Sequence, residues 1–149
     1  MKFYKTLFLT LLATITISAS AQEKAELTFH DDFAKASQDA EATSRPIILI
    51  FSASWCPPCQ TMKKEVYPSE EVSPFWDKFV WAYIDADDPK QRDLMTEHGV
   101  QGIPHISYLD AKSNIIGKTV GALSKTDFAE ALETLIERTT AIKNASTSP

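Results

Sequence analysis

The stretch "SASWCPPCQTM", Ser52–Met62, holds the only two cysteines of a 149-residue chain, three positions apart with two prolines between them. Three uses compete for such a pair: a redox couple that opens and closes, half of a metal site, or a fixed crosslink. A crosslink stabilises mainly by closing a long loop of the unfolded chain, and one that spans three residues gains little. A structural zinc site calls for four ligands at recognisable spacing. Here no second cysteine pair follows, and His30, His98 and His105 are scattered without the spacing of a ligand pair. The redox couple is the use the flanking sequence then has to support.

Immediately upstream, Ile47-Ile48-Leu49-Ile50-Phe51 is an unbroken branched and aromatic run following Pro46. Such a run suits a strand buried on both faces, at the centre of a sheet with helices above and below. Downstream, Pro57 and Pro58 fit the first turn of a helix, where backbone N–H groups have no partner in any case. That helix is expected to continue through "QTMKKEVY" and stop at Tyr67-Pro68. Cys56 is thereby placed at the N-terminal mouth of a helix, with Cys59 inside its first turn.

Working outward, Leu27-Thr28-Phe29 reads as a short strand, followed by a helix capped by Asp31 or Asp32 and ending before Arg45-Pro46. "FVWAYIDAD", Phe79–Asp87, is another strand, and Asp88-Pro89 opens a helix that closes at Gly99. "HISYL" and "NIIGKTV" form an antiparallel hairpin around Asp110–Asn114. In the last helix Ser124 and Asp127 resemble a capping box, and Phe128, Ala131, Leu132, Leu135 and Ile136 recur at helical spacing. Residues 139–149 are polar and low in complexity and read as a disordered tail. Alternation followed by a hairpin predicts an α/β fold: a mixed central sheet flanked by helices on both faces.

The N-terminus reads separately. Lys2 and Lys5 precede an apolar run from Leu7 to Ile17 and the small residues Ala19-Ser20-Ala21. This is the pattern of a secretory signal peptide over residues 1–21, leaving a mature domain at 22–138 before the tail. The apolar run is too short for a membrane-spanning helix, and no second one follows. Cleavage removes two lysines and no acid from a formal net charge of −5, so the mature chain is still more acidic. That sign disfavours nucleic acid and anionic membrane as partners. Export also matters for the cysteines, because disulfides form and persist outside the cytoplasm.

Trp55-Cys56-Pro57-Pro58-Cys59 at a strand-to-helix junction, together with Gly102-Ile103-Pro104 before the hairpin, resembles the thioredoxin family from about Phe29 to Ile136. "CQTMKKEVYPSEEVSPFWDKFV" is similar to exported members related to the C-terminal thioredoxin domain of the bacterial membrane electron relay. The resemblance implies the thioredoxin fold, a cis peptide at Ile103-Pro104 beside the cysteines, and thiol–disulfide exchange without a cofactor. It also implies a periplasmic monomer whose partners are cysteine-containing client proteins and a membrane electron donor. Two positions depart from the family: its buried aspartate is replaced by Ile50, and the lysine that partners it is replaced near Tyr83.

Each site residue has a role to weigh. Cys56, at a helix N-terminus that favours the thiolate, is the expected nucleophile, and Cys59 the resolving thiol. Pro57 and Pro58 cannot donate hydrogen bonds to the Cys56 sulfur, which places the couple on the reducing side. Trp55 either shields the pair or is an ordinary strand-end core residue. The resemblance implies that the backbone at Ile103 pairs with a client chain as an added strand, beside Pro104; a rigid turn is the plain alternative. His105 either adjusts Cys56 with pH or faces solvent at a strand end. His30 and His98 read as incidental, the latter in a last helical turn where positive charge is welcome. Oxidase, isomerase and a non-catalytic binding module share the scaffold, and the dipeptide alone does not set the direction of electron flow.

Overall fold

A computed structural model describes residues 26–147, and the expected signal segment lies outside them. Asp32 opens α1 (Phe33–Thr43) by accepting a hydrogen bond from the Lys35 amide, and Ser44, in the left-handed conformation, ends it. β1 (Ile47–Ser52) has all six residues buried, as its unbroken apolar run requires. α2 (Pro57–Thr61) leads without a break into a π-helical turn over Met62–Val66. β2 (Val80–Asp85) is followed by a 3-10 turn at Pro89–Gln91 and by α3 (Arg92–Glu97). The hairpin of β3 (His105–Leu109) and β4 (Ile115–Val120) precedes α4 (Lys125–Thr147).

The sheet order is β2-β1-β3-β4, with β1 and β2 parallel and the other pairs antiparallel. Because successive strand residues point to opposite faces, β1 feeds two cores. Ile48 and Ile50 pack with Met62 and Val66 after α2 and with Phe128, Leu132 and Leu135 of α4. Ile47, Leu49 and Phe51 pack with Ala36 and Ala40 of α1 and with Leu94 and Met95 at their margin. Fully burying each large apolar side chain contributes about 1.5–3 kcal/mol. The expected mixed sheet with helices on both faces is what these two cores build.

Two expectations are corrected. Leu27-Thr28-Phe29 forms no strand: pairing is limited to a parallel bridge between His30 and Ala82, held by His30 N–H to the Trp81 carbonyl and Tyr83 N–H to the His30 carbonyl, both 2.8 Å. Asp32 caps α1 two residues later and leaves the strand no room. The second correction is at the C-terminus, where α4 runs through Thr147 and residues 139–147 are helical rather than irregular. The Thr139 hydroxyl is taken up by the Leu135 and Ile136 carbonyls, and Lys143 Nζ donates to the Ser44 carbonyl across to α1 at 3.0 Å.

Candidate active site

The antiparallel register sets Phe51 of β1 opposite His105 of β3. The segment leaving β1 at Ser52 and the segment entering β3 at Ile103-Pro104 therefore emerge at the same end of the sheet. Cys56 and Cys59 stand on the first and are joined by a disulfide. Cys56 is the N-cap of α2, and its Sγ accepts a hydrogen bond from the Cys59 amide at 3.3 Å. Of the first three helical residues only Cys59 has an N–H to give, since the other two are prolines. The sulfur thus receives one backbone donor where an ordinary helix start would aim several.

Both cysteines are buried, and what distinguishes them is that Cys56 caps the helix and faces Ile103 while Cys59 lies inside its first turn. Cys59 is 1% exposed, packed with Ala53 under the start of α2, and Cys56 is 3% exposed, with Ile103 covering the cluster. Cys56 Sγ lies 3.9 Å from the Ile103 carbonyl oxygen, and the Ile103–Pro104 peptide is cis. The Pro104 carbonyl accepts from the Gly121 amide at 2.9 Å, which ties this segment to the end of β4. A chain laid along Ile103 would therefore pass directly over the sulfur of Cys56.

The structure brings together Cys56, Cys59 and Ile103, and corrects the readings of three other residues. Trp55 is no core residue: it is 67% exposed, and its Nε1 donates to Asp87 Oδ2 at 2.6 Å. Pro57 and Pro58 are exposed beside it. His105 does not face solvent; it is fully buried, because β3 is paired on both sides and its ring packs edge-on against Phe51. Burial, then the nearby Lys118 and His98, holds its pKa below the usual histidine value. His98 caps the end of α3, where positive charge was expected to be welcome, yet burial pushes its pKa down as well, against a small opposing effect of Glu97. His30 hydrogen-bonds Asp39 at 3.2 Å, away from the cysteines.

Sequence reasoning missed the polar cluster at the end of β1, beside the segment that carries the pair. A cavity of about 300 Å³ is lined by Ser52, Ala53, Gln60, Lys63, Tyr83 and Asp85. The Ser52 and Tyr83 hydroxyls are hydrogen-bonded across the β1/β2 pair, and Lys63 Nζ stands 4.0 Å from the centre of the Tyr83 ring. Burial raises the Tyr83 pKa, the Ser52 hydrogen bond opposing it. β1/β2 register sets Ile50 against Tyr83, so a hydroxyl occupies the neighbourhood in which the family resemblance implied a charged pair. The signal was available in the parallel pairing of two strands already identified. Among the described residues no three His, Cys, Asp or Glu side chains converge so as to hold a metal ion.

A family model described as a thioredoxin-like domain matches residues 33–136. The chain is 30% identical over 128 residues to the chloroplastic thioredoxin-like protein HCF164 of Arabidopsis thaliana, covering 85% of this chain and 48% of that one. It spans no more than half the length of the HCF164 proteins of Arabidopsis thaliana and rice and of TxlA from Synechococcus elongatus. Among solved structures, a thioredoxin from Thermus thermophilus superposes with a TM-score of 0.71 at 24% identity, covering 83% of this chain and 97% of that one. The oxidised C-terminal domain of DsbD from Neisseria meningitidis superposes with a TM-score of 0.59 at 23% identity, covering 72% and 98%. These two likenesses establish the fold.

Proposed function

The chain belongs to the thioredoxin-like family, and on that premise we propose that it is an extracytoplasmic thiol–disulfide oxidoreductase that reduces protein disulfides through Cys56 and Cys59. The observation that carries the reading is a buried disulfide in which the sulfur of Cys56 caps a helix and lies 3.9 Å from the carbonyl of Ile103. In the reduced protein the Cys56 thiolate attacks one sulfur of a client disulfide. A mixed disulfide forms, and the client's other sulfur leaves as a thiolate that takes up a proton. Cys59, deprotonated, then attacks Cys56 Sγ; the internal disulfide closes and the second client thiol departs. Two electrons have passed from the pair to the client.

The Ile103 backbone, Trp55 and the exposed Pro57 and Pro58 form the surface on which the client chain rests, with the buried Pro104 behind it and Ile103 pairing to the client as an added strand. The single amide donor at Cys56 Sγ supports a couple on the reducing side, because fewer donors stabilise the thiolate less. The oxidised pair must be recharged, and the likeness to a DsbD domain supports a membrane electron donor as the source. The leader pattern over residues 1–21 supports a periplasmic location. No described helix is long and apolar enough to cross a membrane.

The reading is tested by trapping. Reduced Cys59→Ser protein mixed with a disulfide-bonded client should accumulate a covalent adduct at Cys56, cleaved by dithiothreitol, whereas Cys56→Ser should give none. Absence of an adduct, or adducts on Cys59 in preference, would overturn it.

A further inference from the structure

His105 follows the cis Pro104 and opens β3, yet both its ring nitrogens are buried and without a hydrogen-bond partner among the described residues. A buried imidazole normally finds such a partner, because an unpaired polar atom removed from water is left with no compensation for its lost hydration. What surrounds it instead is aromatic. The Phe51 ring meets it edge-on at 5.8 Å, and on Phe51 a second buried histidine, His98, packs at 5.6 Å, its Nδ1 also unpartnered. α1 contributes Phe33, edge-on to His98 at 5.9 Å. The charged or titratable groups acting on His105 are Lys118 of β4 and His98, and the one acting on His98 is Glu97. No carboxylate is hydrogen-bonded to either ring among the described residues.

The chain from His105 back to Ile103 is the wall that faces the sulfur of Cys56. We propose that His105 is a positioning residue for the client edge: neutral, it seats the Ile103-Pro104 wall on Phe51, and protonation in acid unseats that wall while leaving the cysteines able to exchange. This deepens the proposed function, since it rests on Ile103 being the edge along which a client lies. A cation at His105 would have no acceptor, would face Lys118, and would sit against an uncharged aromatic floor. The pKa of each ring is lowered in the fold, so the open form binds more protons. Closure is therefore complete above the open-state value of about 6.5 and weakens as pH falls toward the lowered folded values. The equilibrium for opening rises by up to about tenfold per pH unit for each histidine. His98, in contact with the same Phe51, adds to the same limb.

The test compares two oxidised substrates in single turnover with the reduced, full-length mature protein. One is an uncharged peptide pair joined by a disulfide, long enough to lie along Ile103; the other is hydroxyethyl disulfide, which needs no edge. The ratio of peptide to small-disulfide rate cancels the ionisation of Cys56. It should fall at least fivefold between pH 7.5 and pH 5 in the native chain, by clearly less in His105→Leu, and stay within twofold in the double variant His98→Leu/His105→Leu. A flat ratio in the native chain, or the same fall in His105→Leu, overturns the proposal. Should the variant fail to fold, the native protein supplies the answer by nuclear magnetic resonance. The His105 ring should titrate below 6.5, and the Gly121 amide bonded to the Pro104 carbonyl should lose protection from exchange in step. A ring that titrates at 6.5 or above, or a Gly121 amide indifferent to its protonation, overturns it. If neither disulfide is reduced, the oxidoreductase reading itself has failed, and the resonance titration still decides the role of His105.

Discussion

The cysteine wall and the proline wall of the site face each other across the end of one sheet, but they are held differently. On the cysteine wall Trp55, Pro57 and Pro58 are exposed, and Trp55 is fixed by one surface hydrogen bond to Asp87. On the proline wall Pro104 and His105 are buried, and what fixes them is the sheet on both sides and the ring of Phe51 below. The first wall carries the reactive sulfurs, themselves buried, in a locally determined turn behind an exposed rim. The second carries none and depends on the core. Changes at the first should therefore alter rate with little loss of stability, while changes at the second should alter stability and pH response together.

The largest effect expected lies on the cysteine wall, where Cys56→Ser should reduce client turnover to background while the thermal midpoint stays close to that of the reduced native protein. If turnover survived, the division between the walls would be wrong at its root. On the other side, Phe51→Ala removes the floor under both histidines and should destabilise by about 3–5 kcal/mol in urea unfolding. A loss under 1 kcal/mol would show that the proline wall does not depend on that ring.

A smaller effect comes from acid. Both histidines have lowered folded pKa values, so stability should be constant above about pH 6.5 and fall below it by up to about 1.4 kcal/mol per pH unit for each ring, until the folded values are passed. Urea midpoints for the native chain and His105→Leu over pH 7.5 to 5 should show the shallower slope in the variant. Equal slopes would assign the acid limb to other groups. The smallest effect belongs to Asp87→Asn, which weakens an exposed hydrogen bond and should cost within about 1 kcal/mol. Its mark should be a modestly slower reaction with protein clients and an unchanged one with small disulfides.

The same contrast explains how much was legible in the sequence. The cysteine wall was readable because its determinants are local: an apolar run ending at Phe51, two cysteines, and prolines at the only helical positions that tolerate them at no cost. Those features place Cys56 at a helix mouth whatever the rest of the chain does. The proline wall was readable only in part. Ile103-Pro104 announced itself, but the burial of His105 depends on β1 and β4 pairing on both sides of β3 and on His98 arriving from α3, none of which leaves a mark at position 105. Trp55 was legible only as a choice between a shield over the pair and a core residue, because its outward turn depends on a partner, Asp87, thirty-two residues away. The C-terminal tail misled by composition. Its threonines read as irregular, yet their hydroxyls are absorbed by the helix's own carbonyls and Lys143 ties the helix to Ser44.

The central claim is a reducing dithiol couple at Cys56 and Cys59, and its reduction potential tests that claim most directly. The protein is equilibrated in graded dithiothreitol and glutathione buffers, quenched by alkylation, and the fraction with free thiols counted by mass. The account predicts a value near that of thioredoxin, about −270 mV, and a value near about −120 mV, that of a strong oxidant, would contradict it.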